Sequence, residues 1–192
     1  TTPKFQGGFG LSGQWKNFDF TANFNYMVDF DVYNATNYML SSSISNTNNF
    51  YNVLADFTQK NRWTYVRADG ECLYKNTNID GSVNEYITMN AGKSLWNPAD
   101  VEDKVTHSYF VEDGSFLRLQ DVTIGYTLPS NLTKKWGMSK VRFYASASNL
   151  FILTGYSGYD PEVDVQSGLT PSMDYNRYPR SRSFVFGTNI TF

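Results

Sequence analysis

The chain holds a single histidine, His107, in the stretch VTHSYF. A nucleophilic triad would need it as the base between a serine and a carboxylate, yet no GxSxG elbow occurs in the sequence. Carboxylates gather at Asp100, Glu102 and Asp103, and again at Glu112 and Asp113. In polar stretches such runs read as solvated loop charge rather than as an acid–base pair. The one cysteine, Cys72, excludes an internal disulfide and a multi-thiolate metal centre. No phosphate-cradling loop and no metal-ligand spacing is present. These residues predict no catalytic group, no metal and no cofactor.

Binding chemistry is better represented. The stretch LTGYSGYDPEVDVQSGLTPSMDYNRYPRS carries four tyrosines among Asp, Arg and Gly. Aromatic faces with polar neighbours suit sugar rings or peptides. Tyr156, Tyr159, Asp160, Tyr175 and Arg177 are the candidate substrate-binding residues. The competing reading is that the tyrosines pack this loop onto the structure beneath it.

The elements that must position the loop are strands. Phe, Tyr and Trp number 15, 14 and 4, while charged residues make up only 18% of the chain. That mix favours strands joined by polar loops. Alternation is strict in FDFTANFNYMVDFD, where Phe18, Phe20, Ala22, Phe24, Tyr26, Val28 and Phe30 share one face and Asp, Thr, Asn and Met the other. The same period marks strands near 4–15, 17–31, 115–128, 139–152 and 182–192. Each runs about eleven residues or more, against a mode of about 5–6 in soluble proteins. A tilted strand of about 9–11 residues spans the hydrocarbon layer of a membrane. Two connections are short, at Lys16–Asn17 and PSNLTKKWGMS, and two are long, near 32–114 and 153–181. Short turns on one side and long loops on the other are the layout of an outer-membrane barrel.

Charge agrees with that reading. Arg118 and Arg182 are the exceptions on the apolar faces, and each stands where a strand leaves a long loop. There it would meet headgroups, at a cost of about 0–1 kcal/mol. The net charge of −2 argues against a nucleic-acid partner. In the first long loop, Phe50, Val53, Leu54 and Phe57 predict a short amphipathic helix near 49–60, and Tyr33, Tyr38 and Met39 an earlier one. The remainder, to about 114, reads as an irregular lobe. The alternative to the barrel is a secreted soluble β-rich module that binds glycan, with the alternating faces packed as a sandwich.

Three stretches carry a family resemblance: VEDGSFLRLQDVTIGYTLP, KVRFYASASNLFILTGYSGYDPE and NRYPRSRSFVFGTNITF. They resemble the last part of SusC/RagA-like TonB-dependent outer-membrane transporters of the Bacteroidetes type. The resemblance implies an all-β fold, the C-terminal strands (about five) of a transmembrane antiparallel β-barrel of about 22 strands. It implies a multi-pass protein of the Gram-negative cell outer membrane, in contact with its lipid. It further implies import of oligosaccharides or peptides with a SusD-like surface lipoprotein, powered through the TonB complex. The plug domain and the remaining strands would have to come from outside this chain, because open strand edges are not tolerated in lipid. With short turns in the periplasm, the last strand descends and brings Phe192 there. Phe184, Phe186, Ile190 and Phe192 then resemble the terminal signal read by the barrel-assembly machinery.

Overall fold

The protein was analysed as a computed structural model. The structure describes residues 2–41, 52–57, 61–67, 69, 72–73, 82, 88–89, 93, 95–96, 98, 107–162 and 172–192. In chain order its strands are β1 (Phe5–Trp15), β2 (Phe18–Val28), β3 (Asp31–Asn34), β4 (Tyr65–Val66), β5 (Cys72–Leu73), β6 (Thr88–Met89), β7 (Val111–Asp113), β8 (Phe116–Thr127), β9 (Lys140–Thr154), β10 (Met173–Asp174) and β11 (Ser183–Thr191). Two short helices, α1 (Ala35–Met39) and α2 (Ser130–Thr133), accompany them. Two compact units divide the chain: Thr1–Tyr33 with Val111–Phe192, and Asn34–Phe110.

The first unit is built on a five-stranded antiparallel sheet in the order β1-β2-β8-β9-β11. Its register explains why alternation in each strand matters. Phe9 stands opposite Phe24, Trp15 opposite Phe18, Phe18 opposite Tyr126 and Ala147 opposite Phe184. One face of all five strands is therefore apolar. Its rings meet across strands, Phe9 stacking on Phe24 with centroids 4.9 Å apart and Phe18 meeting Tyr126 at 4.6 Å with the rings tilted by 45°. Pairs of this kind add about 0.5–1.5 kcal/mol each beyond area burial. Yet the face is uncovered: Phe5, Phe9, Leu11, Trp15, Ile124, Phe143, Phe186 and Ile190 are all exposed.

The opposite face is polar and internally bonded. Arg142 pairs with Asp19 through two contacts, its Nε donating to Asp19 Oδ2 at 2.8 Å. The pair lies over Gly125, where a Cβ would sit 2.3 Å from the guanidinium and 2.5 Å from the carboxylate. Ser148 Oγ donates to Asp121 at 2.7 Å, and Thr123 and Ser146 share a hydrogen bond of 2.9 Å.

Two strands depart from the alternation read in the sequence. β2 ends at Val28, not near residue 31, because Asp29 turns into the left-handed region at φ 62°. Phe30 therefore leaves the apolar face and is buried with Val32, Phe116 and Tyr156, against Met27 and Ile152. In β8, Asn23 and Phe24 stand opposite Asp121 and Leu119, so Gln120 is an extra residue in the ladder. Such a bulge breaks the two-residue period. Below it Val122, Ile124 and Tyr126 join the apolar face; above it Leu117 and Leu119 do. Arg118 is consequently on the polar face, opposite Asn25, and buried. Its expected place among lipid headgroups is corrected by this single phase slip.

At the long-loop end, β3 pairs with β7 and β10 in a small second sheet. The small core closes over the inner ends of Met27, Phe116 and Ile152, positions of the otherwise polar face.

The second unit contains α1, started by Asn34, whose Oδ1 accepts the Asn37 amide at 2.9 Å. The helix expected near 49–60 is not formed as such. Residues 52–54 are non-helical, Ala55–Phe57 make one 3-10 turn, and Phe50 and 58–60 lie outside the described residues. Phe57 still packs, edge-on to Trp96 at 5.0 Å, so its burial came from tertiary contact rather than helical period. His107 stacks on the same Trp96 at 4.9 Å, with Phe110 and Tyr109 beside it. Packing is thus the observed use of the lone histidine. Asp100, Glu102 and Asp103 lie outside the described residues.

Candidate functional site

The candidate site is the segment that follows β9, held at the long-loop end of the sheet. Its positions were assigned from sequence as one group, and the structure separates them into two. Tyr156 and Asp160 are buried at 6% and 3% exposure. Tyr159 and Tyr175 stand out at 78% and 58%, beside Tyr178 at 89%. Arg177 is exposed and takes part in an interaction of its own.

The buried pair fastens the loop. Tyr156 packs in the small core, and its hydroxyl donates to Asp174 Oδ2 at 2.8 Å, joining the two limbs of the loop. Burial first, and the Asp174 carboxylate second, push the Tyr156 phenol well above its ordinary range. Asp160 accepts from Arg118 Nη2 at 2.6 Å, both side chains being 5% exposed. Arg118 Nε also lies 3.3 Å from Glu162 Oε2, without hydrogen-bond alignment. Arg180 reaches Glu162 Oε1 at 2.9 Å from the other limb. One strand guanidinium, two loop carboxylates and a second arginine form a chain of charge across the loop base.

Glu112 of β7 adds a further hold, accepting the Ser157 amide and hydroxyl at 2.8 Å each. Nearby, Asp113 accepts the Ser115 hydroxyl at 2.6 Å and its amide at 2.9 Å. Those two bonds hold the Asp113 carboxyl below its usual range.

Sequence reasoning missed Arg118, Glu112, Glu162 and Asp174 as parts of this framework. The signal for Arg118 was present: in FLRLQDVTI the apolar positions change from odd (Leu117, Leu119) to even (Val122, Ile124) across Gln120. Glu112, Glu162 and Asp174 carried no periodic signal, since their roles arise from pairings between distant segments.

Chemically the arrangement presents tyrosine faces on a base held by ion pairs and hydrogen bonds. Among the described residues no three or more His, Cys, Asp or Glu side chains gather to hold a metal. The candidate assembly residues Phe184, Phe186, Ile190 and Phe192 are exposed, the first three on the apolar face of β11 and Phe192 just beyond its end.

Known proteins match the whole of this layout. TonB-dependent receptor P3 of Formosa agariphila is 32% identical over all of this chain, which covers 16% of that receptor. TonB-dependent receptor SusC of Bacteroides thetaiotaomicron is 41% identical over 44% of the chain and 8% of its own length. The RagAB peptide transporter structure superposes with a TM-score of 0.68 and 26% identity, over all of this chain and 18% of that one. The RagAB peptide importer in its open-open state gives 0.66 and 26%, over all of this chain and 17% of its own. No protein-family model matches. The chain thus spans about one sixth of the full-length relative it matches end to end, at 16%. Identity of 32% along the whole chain, together with a superposable fold, fixes the family: this chain is a barrel segment of a SusC/RagA-like TonB-dependent receptor.

Proposed function

We propose that this chain forms part of the wall and outer loops of an outer-membrane importer for oligosaccharides or peptides. The observation that carries the reading is the apolar face of five adjacent strands, exposed from Phe5 to Ile190. A soluble glycan-binding module would pack that face; lipid is the solvent that suits it. The polar face, with its Asp19–Arg142 pair and serine–threonine bonds, then lines the interior.

The full receptor supplies the other strands and the plug, and a SusD-like surface lipoprotein closes over the outer end. The TonB complex drives plug movement. Within this chain, Tyr159, Tyr175 and Arg177 are the residues offered to substrate or lipoprotein, with Tyr156 and Asp160 setting their position. The peptide specificity carried in the name of RagAB makes peptides the first substrates to try. Transport here is binding and movement, with no covalent step.

The test uses the full-length receptor in its own cell envelope. Fractionation is expected to place it in the outer membrane in a heat-modifiable, folded form. Uptake of labelled oligopeptides or oligosaccharides is expected to fall several-fold when Tyr159 and Tyr175 are both changed to Ala, with surface level unchanged. Recovery of the receptor as a soluble species without detergent would sink the reading.

A further inference from the structure

The two ends of the sheet differ in charge. At the long-loop end both signs are mixed and paired, Lys4 with Asp29, Arg118 with Asp160 and Arg180 with Glu162, beside Asp31, Glu112 and Asp113. The short-turn end is defined by two links: Thr127 donates to Asn17 O at 2.8 Å, and Ser139 donates to Thr191 O at 2.7 Å. Residues 14–18 and 128–139, which make up its two turns, contain Lys16, Lys134 and Lys135 and no acidic residue. All three lysines are exposed.

The nearest carboxylate by register, Asp19, belongs to the opposite, polar face and is occupied by Arg142. Lys140 also falls on that polar face, so it is not counted here. Lys16 itself is held in the left-handed region at φ 52°, with its ammonium over the Trp15 ring at 4.8 Å. Trp15 lies on the apolar face and is 68% exposed. Trp136, next to Lys135, is 60% exposed. An indole beside an ammonium at the rim of an apolar band fits the boundary between hydrocarbon and headgroup. Among the described residues no side-chain carboxylate pairs with Lys16, Lys134 or Lys135.

We propose that the short-turn end of this sheet binds anionic lipid headgroups, Lys16, Lys134 and Lys135 taking the phosphate and Trp15 and Trp136 seating the acyl–glycerol boundary. The partner is a membrane lipid with net negative charge, of the phosphatidylglycerol kind. It rests on the membrane reading above, since it needs the apolar face in a bilayer. The lysines act as compact point charges with rotatable donors, a form suited to a mobile phosphodiester. Near an anionic surface each such charge favours association about five-fold.

The test is native mass spectrometry of the full-length receptor in mild detergent, offered phosphatidylglycerol and phosphatidylethanolamine in equal amounts. The unchanged receptor is expected to retain phosphatidylglycerol preferentially. The triple variant Lys16→Gln, Lys134→Gln, Lys135→Gln should retain on the order of a hundredfold less, three charges at about five-fold each. Lys4→Gln, at the opposite end and paired with Asp29, should retain as much as the parent. Equal retention by the triple variant, equal retention of both lipids, or an equal loss in Lys4→Gln would each overturn the site while leaving the importer reading intact. A receptor absent from the outer-membrane fraction would overturn both.

Discussion

Arg118 shows how much one side chain can do when its surroundings leave it no water. Its guanidinium faces Asp160 and Glu162 with 5% exposure, so removing it strands the buried Asp160 carboxylate and leaves Glu162 to Arg180 alone. Breaking a buried pair in this way costs about 3–5 kcal/mol, and here the cost falls on the loop. Arg118→Met in the full-length receptor is expected to leave the barrel assembled and, by loosening the loop, to speed trypsin cleavage after Arg177 and Arg180. Arg118→Lys should recover little, since a point charge cannot serve both acids with the fork of a guanidinium. Unchanged trypsin cleavage in Arg118→Met would count against the latch. Tyr156 gives the same loop a pH limit. Its folded pKa is raised by burial, so its contribution is complete below the ordinary value of 10.0 and is lost as pH climbs above that value toward the folded one. Subtilisin cleavage between 172 and 182 is expected to accelerate above that pH. In Tyr156→Phe the loop should already be weaker at neutral pH, and the alkaline step should vanish.

At the scale of the element, the long strands were legible because both faces carry information. A lipid-facing strand cannot hide a charge, and a lumen-facing one has no need of a leucine. Phe18, Phe20, Phe24 and Tyr26 therefore announce β2 without any knowledge of its partners. What a simple period of two could not show was the bulge, because an extra residue looks like noise until the neighbouring register is known. Its meaning can be checked by deletion. Without Gln120, Asp121 stays opposite Asn23 and Leu119 opposite Phe24, so every side chain keeps its face and the folded, heat-modifiable fraction should persist. Without Thr123, continued pairing brings Asp121 onto the lipid face and Val122 onto the polar one. That variant is expected to lose most of its folded form. Equal damage from both deletions would refute the phase argument. Within the stretch near 49–60 the described residues form only the turn Ala55–Phe57, and Phe57 is buried against Trp96, a use that a helical wheel cannot distinguish from a helix face.

At the scale of the molecule, the sheet has two outer strands, β1 and β11, each paired on one side among the described residues. In a bilayer both must find partners, so this wall is stable only as part of a closed ring. Deleting Phe192 from the full-length receptor is expected to lower surface level several-fold while transport per assembled receptor holds. Normal surface level would remove the assembly role from Phe184, Phe186, Ile190 and Phe192. The candidate site was less legible than the fold, because tyrosines look alike in sequence whether they bind a ligand or a neighbouring segment. Tyr156 and Tyr159 are three residues apart and have opposite fates.

The pairing of β3 with β7 has a consequence for how such receptors change over time. Asp31 stands opposite Asp113, and Gly114 donates to Phe30 O at 2.9 Å just below. The stretch from 34 to 110 therefore leaves and rejoins the wall at one clasped point. Lengthening a connection costs only about 0.6 kcal/mol per doubling even without a clasp. With its ends already pinned together, the insert can be enlarged, trimmed or exchanged without changing the register of the five strands. The wall is conservative by geometry, and the stretch inserted into it is an interchangeable part.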